Sequence, residues 1–248
     1  MKKLNTLAEL KKQKEFYKNF AEQFDQKCKR ENSNHFYKIR RIEKYFLDLL
    51  FQNSGERCDI AELGAGTGIH AKHFLERFHK RINEFVCVDL SLEMIQIAKE
   101  RLDSYPNIRY IESSAENLTL NEKIDGIYIS GSLHHFENPY QVLEKIKKNI
   151  LKKNGLLVVC EPIVWNPVNF IKALPRPEER NQFSLARRTN VRKYLKKIGY
   201  EILSDEVLHY CPTKGTFLNI LWPREFLENI PIFDPLAIMY VFCCRNSV

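Results

Sequence analysis

From Cys58 onward, apolar and polar positions switch repeatedly between a period of two and a period near 3.6 residues. Short runs rich in β-branched residues predict strands at 58–63, 84–88, 108–112, 124–130 and 156–160. Between them, apolar positions three and four apart predict helices over 69–80, 92–102 and 139–152, with a short one near 115–118. Such alternation specifies parallel strands with helices on both faces, and ligands at the carboxyl ends of the strands. A helix at 186–197, Gly199 and a strand at 200–208 follow, and a final strand is expected at 237–244. No ordinary crossover helix separates the last two strands, so the final one is expected to run antiparallel. Residues 211–236 carry Pro212, Pro223, Pro231 and Pro235 among Phe217, Leu218, Trp222 and Phe226, and read as an apolar insertion before it.

Two further helices are expected ahead of the sheet, at 7–27 and 34–52. Phe16, Phe20 and Phe24 are spaced four apart in the first; Ile39, Ile42, Phe46 and Leu49 form a comparable stripe in the second. These stripes need a surface to cover, so residues 1–54 read as a helical cap on a sheet domain at 55–248. Within that domain, 162–184 and 211–236 are the segments expected to shape a substrate pocket. A chain of 248 residues, 44% hydrophobic, suits one large α/β domain with embellishments. Subunit number is left open.

Composition removes several function classes. The seven cysteines stand at Cys28, Cys58, Cys87, Cys160 and Cys211 and as the pair Cys243 and Cys244, with no CxxC element. That odd count argues against a disulfide scaffold or a zinc knuckle. Cys58, Cys87, Cys160 and Cys243 fall in strand-like runs and read as small core hydrophobes. No basic start leads into an apolar run, and no stretch approaches the roughly 18 apolar residues of a membrane span. Cytoplasmic residence is the expectation. The net charge of +8 is mostly N-terminal, since residues 1–57 hold 14 basic against 8 acidic residues. Such a field could attract nucleic acid or an anionic membrane surface. Acidic residues interrupt the basic ones, however, which favours a solvated helix face.

The chemistry centres on CDIAELGAGTGIH, residues 58–70, where Glu62 and three alternate glycines lie between strand and helix. A dinucleotide fingerprint would need a glycine at position 69, which is Ile69. Asp89 ends the second strand, where a carboxylate can accept both hydroxyls of a ribose. It could instead cap the helix beginning near Leu92, but Ser91 can take that part.

Around these residues the chain resembles the class I S-adenosylmethionine-dependent methyltransferases, particularly those that methylate small molecules. The matching pieces are ELGAGTG at 62–68, VDLSLEMI at 88–95, SSAENL at 113–118, DGIYISGSLHHF at 125–136 and LKKNGLLVVCEP at 151–162. With the strand pattern, the resemblance implies a single Rossmann-like α/β fold, its seven strands ordered 3-2-1-4-5-7-6 with the last antiparallel. It implies that Glu62, Gly64, Ala65 and Gly66 surround the methionine part of the cofactor and that Asp89 holds the ribose. Leu90 and Met94 would flank the adenine, Ala115 and Glu116 would meet its amino edge, and the Ser130 carbonyl would receive the cofactor ammonium. Tyr17, in the cap, would reach the cofactor as part of a lid.

Methyl transfer asks mainly for alignment and exclusion of water, with a base needed only when the nucleophile arrives protonated. His135, then His134, follow the fourth strand and are the candidates for that base or for orienting the acceptor. They could equally shape the loop. Glu161, ending the fifth strand, could orient a polar substrate group or bond nearby backbone amides. His70 and His73 lie one helical turn apart without a third ligand at metal-site spacing. The cap and the apolar insertion favour a small, partly apolar organic acceptor. An RNA substrate, peripheral membrane contact and a noncatalytic cofactor-binding role remain as alternatives.

Overall fold

The computed structural model describes residues 34–52, 57–163, 187–209 and 237–247. The expected helix at 7–27, Tyr17 and the segments 164–186 and 210–236 lie outside those residues. In chain order the elements are α1 (Asn34–Phe46), β1 (Cys58–Leu63), α2 (Ile69–Phe78), β2 (Ile82–Asp89), α3 (Leu92–Arg101) and β3 (Ile108–Glu112). They continue with β4 (Ile124–Ser130), α4 (Pro139–Lys145), β5 (Leu151–Pro162), α5 (Arg188–Lys197), β6 (Glu201–His209) and β7 (Ala237–Arg245).

The seven strands form one sheet ordered β3-β2-β1-β4-β5-β7-β6. β1 pairs in parallel with β2 and β4, β2 with β3, and β4 with β5. β7 is antiparallel to both β5 and β6. The expected order and the reversed last strand are both present. Reversal lets β7 fit between β5 and β6 without a second crossover helix.

Strand alternation divides the core into two faces. On one, Ile39, Ile42 and Phe46 of α1 pack with Phe74 and Phe78 of α2 over Ile60, Phe85 and Tyr128. On the other, Val142 and Leu143 of α4 and Val191 and Leu195 of α5 pack over Ala61, Leu63, Ile127 and Ile129. The stripe on α1 therefore does cover the sheet. Phe46 lies edge-on to Phe74, with centroids 5.2 Å apart. It passes so close to β4 that a Cβ on Gly126 would sit 2.4 Å from its ring. The far end of α1 is held by Tyr45, whose hydroxyl is 2.7 Å from Ser204 Oγ on β6. Cys58, Cys87, Cys160, Cys243 and Cys244 are buried free thiols.

Two elements differ from expectation. Residues 115–117 make a turn, because the Ser114 carbonyl accepts both the Asn117 and Leu118 amides and the chain then leaves the helical path. The helix expected to reach 152 gives way to a wider turn at Ile146–Ile150, and β5 starts at Leu151, paired with Ile124. Asn246 accounts for the early ending: its buried side-chain amide donates to the carbonyls of Lys147 and Leu151 at 3.0 and 3.1 Å. Among the described residues, no helix is long and apolar enough to cross a membrane.

Candidate active site

The carboxyl ends of β1, β2, β4 and β5 bring the conspicuous polar residues together. After β1 the chain turns sharply, and the Gly64 and Ala65 amides both donate to the Val88 carbonyl, at 2.8 and 2.9 Å. The loop is thereby pinned to β2. Gly64 and Gly66 have φ of +70° and +55°, a region other residues rarely enter. Their surroundings differ. A Cβ on Gly64 would lie 2.4 Å from Ser132 Cβ, whereas one on Gly66 would meet no atom within 4 Å. Gly64 makes room for the loop after β4, and Gly66 leaves backbone bare for a ligand.

Asp89 ties the loop after β1 to the turn before α3, while the cap itself falls to Ser91. Asp89 Oδ2 accepts the Gly66 amide at 2.7 Å and its Oδ1 accepts the Ser91 amide at 2.9 Å. Burial raises its pKa, against those same amide bonds. A carboxylate offers about four acceptor positions, so two such bonds leave capacity for ribose hydroxyls. Ser91 caps α3 by accepting the Met94 amide at 3.3 Å.

Glu62 is fully buried in β1. Tyr128, one strand away on β4, donates its hydroxyl to Glu62 Oε2 at 3.0 Å. Glu62 Oε1 has no hydrogen-bond partner among the described residues, although His70 Nδ1 lies 3.4 Å from it. Burial pushes the Glu62 carboxyl up to about 8, opposed by the Tyr128 hydrogen bond and the charge of Lys38. His73 points elsewhere, to Glu76.

Glu161 is spent on the loop after β4. One oxygen accepts the Ser132 and Leu133 amides at 2.9 and 2.8 Å, and the other is 2.6 Å from His134 Nδ1. A carboxylate on Nδ1 requires that nitrogen to carry the hydrogen. His134 is buried, while His135 is half-buried with its ring centroid 4.0 Å away. Glu161 therefore fixes His134, and His134 supports His135.

Met94 and Ala115 are buried, and Leu90 is half-buried beside Asp89. The Glu116 side chain is engaged by the Asn138 amide at 3.3 Å, at the start of α4. Ser130 is buried; its carbonyl accepts Lys38 Nζ at 3.4 Å, and its hydroxyl has no partner among the described residues.

Sequence reasoning passed over Tyr128 and Lys38. Tyr128 reads as an ordinary strand aromatic, and its hydroxyl contact joins residues 66 apart. Lys38 did leave a signal. It falls four before Ile42 and seven and eight before Tyr45 and Phe46, on the apolar stripe of α1, where an ammonium is out of place.

Known proteins are similar to this chain in sequence and in fold. Residues 61–159 match the family model described as a methyltransferase domain. A malonyl-[acyl-carrier protein] O-methyltransferase of Ilyobacter polytropus is 27% identical over 100 residues, 40% of this chain and 37% of the relative. A ubiquinone/menaquinone biosynthesis C-methyltransferase of Campylobacter jejuni is 31% identical over 106 residues, 41% of this chain and 43% of the relative. The matches thus span less than half the length of these curated relatives. Among solved structures, the CurJ carbon methyltransferase superposes with a TM-score of 0.63 at 17% identity, over 85% of this chain and 54% of that one. A structure from Bacillus halodurans titled a putative methyltransferase gives 0.59 at 15% identity, over 86% and 98%. At such identities these two show the fold.

The fold is of the Rossmann-like kind, with a glycine-rich loop, a buried glutamate and an aspartate at the carboxyl ends of neighbouring strands. More particularly, residues 61–159 are similar to a methyltransferase domain, for which the expected cofactor is S-adenosylmethionine. The residues present suit that cofactor. Gly66 has room for it, Glu62 Oε1 and Ser130 Oγ are buried polar atoms without hydrogen-bond partners among the described residues, and Asp89 keeps acceptor capacity.

Proposed function

We propose that the protein transfers a methyl group from S-adenosylmethionine to a small, partly apolar organic acceptor. The observation that carries this reading is the convergence of Glu62, the open Gly66, Asp89 and Ser130 on the carboxyl edge of three neighbouring strands. When bound, the cofactor supplies a methyl made electrophilic by its sulfonium. The protein's residues then have to bind, align and keep water out.

Asp89 accepts the ribose hydroxyls with the acceptor positions its two amide bonds leave. Leu90 and Met94 flank the adenine, and Ala115 and Glu116 lie along its edge, with the Glu116 carboxylate held back by Asn138. Glu62 and the Ser130 carbonyl receive the ammonium, next to Gly64, Ala65 and Gly66. His135 orients the acceptor, or removes its proton where it arrives protonated. His134 and Glu161 hold His135 in place.

The acceptor is enclosed by the cap of residues 1–54, including Tyr17, and by segments 162–184 and 211–236. The roots of the two segments support this. The chain departs at Ile163 and returns at Ala237, and the Ile163 amide donates to the Ile238 carbonyl at 2.8 Å. β6 ends at the same rim, with His209 opposite Ala237. The relatives named for malonyl-[acyl-carrier protein] and for quinone biosynthesis support an organic rather than a nucleic-acid acceptor.

Calorimetry with S-adenosylmethionine, S-adenosylhomocysteine and NAD tests the cofactor half; preferential NAD binding would overturn it. Radiolabelled methyl transfer into small-molecule extracts and into total RNA tests the acceptor half. Label in an extractable small product is expected. Salt-sensitive label in RNA alone would reassign the substrate.

A further inference from the structure

Residues 139–154 and 187–200 together hold eleven Lys and Arg against one acid, Glu144. That excess is larger than the N-terminal one and larger than the net charge of the whole chain, +8. The fold gathers much of it at a single edge. α4 and its wider turn lead into β5, α5 leads into β6, and Lys123 immediately precedes β4. β6 runs the same way as β4 and β5, because β7 is antiparallel to both of its neighbours. All three pieces therefore meet at the amino ends of these strands. Lys123 Nζ donates to the Lys148 carbonyl at 2.7 Å, and a Cβ on Gly199 would lie 3.6 Å from Lys147 Cε. Lys123, Lys147, Lys148, Lys153, Lys196 and Lys197 thus share the edge opposite the cofactor rim.

Internal pairing leaves most of this charge uncompensated. Lys153, Lys196 and Lys197 are exposed, and no carboxylate among the described residues lies within ion-pair distance of them. The nearby acids are engaged: Lys152 holds Asp125 and Asp59 at 3.0 and 3.6 Å, Arg245 holds Glu201 at 3.5 Å, and Lys148 holds Glu144 at 2.6 Å. Exposed Glu122, beside Lys123, offsets one charge. Basic residues in a last helical turn are ordinary, since they meet the negative end of the helix dipole. Two helix ends, however, amount to about one negative charge in total, far short of six lysines.

Such a surplus calls for a polyanion, and its setting selects among polyanions. An acidic protein carrying the acceptor would have to dock at the cofactor rim, which lies beyond the seven residues of β4, about 20 Å away. RNA is held by arginine forks and by exposed aromatic rings on which bases stack. All six side chains here are lysines, and the Tyr200 ring, 5.2 Å from Lys147 Nζ, is buried. Ammonium groups on flexible stems suit an array of phosphate headgroups that has no fixed spacing.

We propose that this edge docks the protein on a bilayer of anionic phospholipid. The adhesion is electrostatic and is screened by salt. With the lysines against the headgroups, the carboxyl ends of the strands face away from the lipid. On the methyltransferase reading, the acceptor then enters from the aqueous side.

Cosedimentation with vesicles of equimolar phosphatidylglycerol and phosphatidylcholine tests the assignment, with vesicles of phosphatidylcholine alone as the neutral comparison. The unaltered protein should bind the anionic vesicles in a salt-sensitive manner and leave the neutral ones. The triple variant Lys153→Gln, Lys196→Gln, Lys197→Gln should bind about fiftyfold more weakly or worse, near fivefold for each lysine. A second triple variant, Lys44→Gln, Lys72→Gln, Lys99→Gln, removes the same charge from α1, α2 and α3 and should lose less than about fivefold. Equal losses in the two variants would mean that net charge alone drives adsorption, and overturn the docking edge. Absence of binding by the unaltered protein overturns it too. Binding to total RNA at the same ionic strength, with no binding to vesicles, would make the edge a nucleic-acid surface instead. Affinity for S-adenosylhomocysteine, read by calorimetry on all three proteins, reports separately on the methyltransferase reading, because no substituted residue lies at the cofactor rim.

Discussion

Glu161 Oε2 lies 2.6 Å from His134 Nδ1, and the other oxygen of the same carboxylate holds the Ser132 and Leu133 amides. One side chain at the end of β5 thereby shapes the loop after β4, fixes a histidine tautomer and supports the ring of His135.

Because Glu161 is structural in this sense, Glu161→Ala should lower stability by about 3–5 kcal/mol, the scale of breaking a buried charged network. His135→Ala leaves the Glu161 contacts to His134, Ser132 and Leu133 in place. It should leave the melting temperature and cofactor affinity near those of the unaltered protein while lowering kcat about 10²-fold or more, if the acceptor arrives protonated. Thermal unfolding, calorimetry and steady-state kinetics on the two variants separate the roles. A normal kcat for His135→Ala would remove it from proton transfer.

Asp89→Ala removes an acceptor from the Gly66 and Ser91 amides and, on the proposed reading, from a ribose. We expect cofactor affinity to fall by about 1.5–3 kcal/mol and stability to fall by about 1–2 kcal/mol. Calorimetry and denaturant titration check the two losses. A loss of stability with unchanged affinity would leave Asp89 with the loop alone.

Two glycine substitutions distinguish packing from binding. Gly64→Ala should destabilise by more than about 2 kcal/mol, because its Cβ would meet Ser132 at 2.4 Å in a backbone conformation already unfavourable to alanine. Ser132 cannot easily yield, since its hydroxyl donates to the Leu63 carbonyl at 2.8 Å. Gly66→Ala meets no atom and should cost stability only about 1–2 kcal/mol for its φ, yet weaken the cofactor more than that. Melting temperatures and dissociation constants of both variants test the contrast.

Glu62 predicts a pH dependence of definite sign. Burial raises its pKa from 4.5 unfolded to about 8 folded, so between those values the folded protein binds more protons. Its contribution to stability is therefore fully present below 4.5 and is lost as pH rises towards about 8. Glu62→Gln, which keeps an acceptor for Tyr128, should flatten this part of the profile and raise the melting temperature more at pH 9 than at pH 5. Identical profiles for the variant and the unaltered protein would contradict the assignment. In the unaltered protein, cofactor binding should release protons near neutral pH, read by calorimetry in buffers of different ionisation enthalpy.

What the sequence determined by itself is local in the chain. Strand and helix periods located nearly every described element, because each depends on residues within a turn or two of one another. The glycine run and Asp89 were legible for a similar reason: they lie 21 to 25 residues apart within one strand–helix–strand unit. The roles that only the tertiary structure decided belong to residues brought together from distant strands. Glu161 could have faced substrate or backbone, and the loop 27 to 29 residues away took its acceptors. Tyr128 became the partner of Glu62 only when β4 paired beside β1. Lys38 showed in the sequence as a charge on an apolar stripe, but its hydrogen-bond partner lay 92 residues further on, at the Ser130 carbonyl. Periodicity records which face a residue turns to the core; which groups it meets there depends on strand order and register, set by packing across the whole sheet.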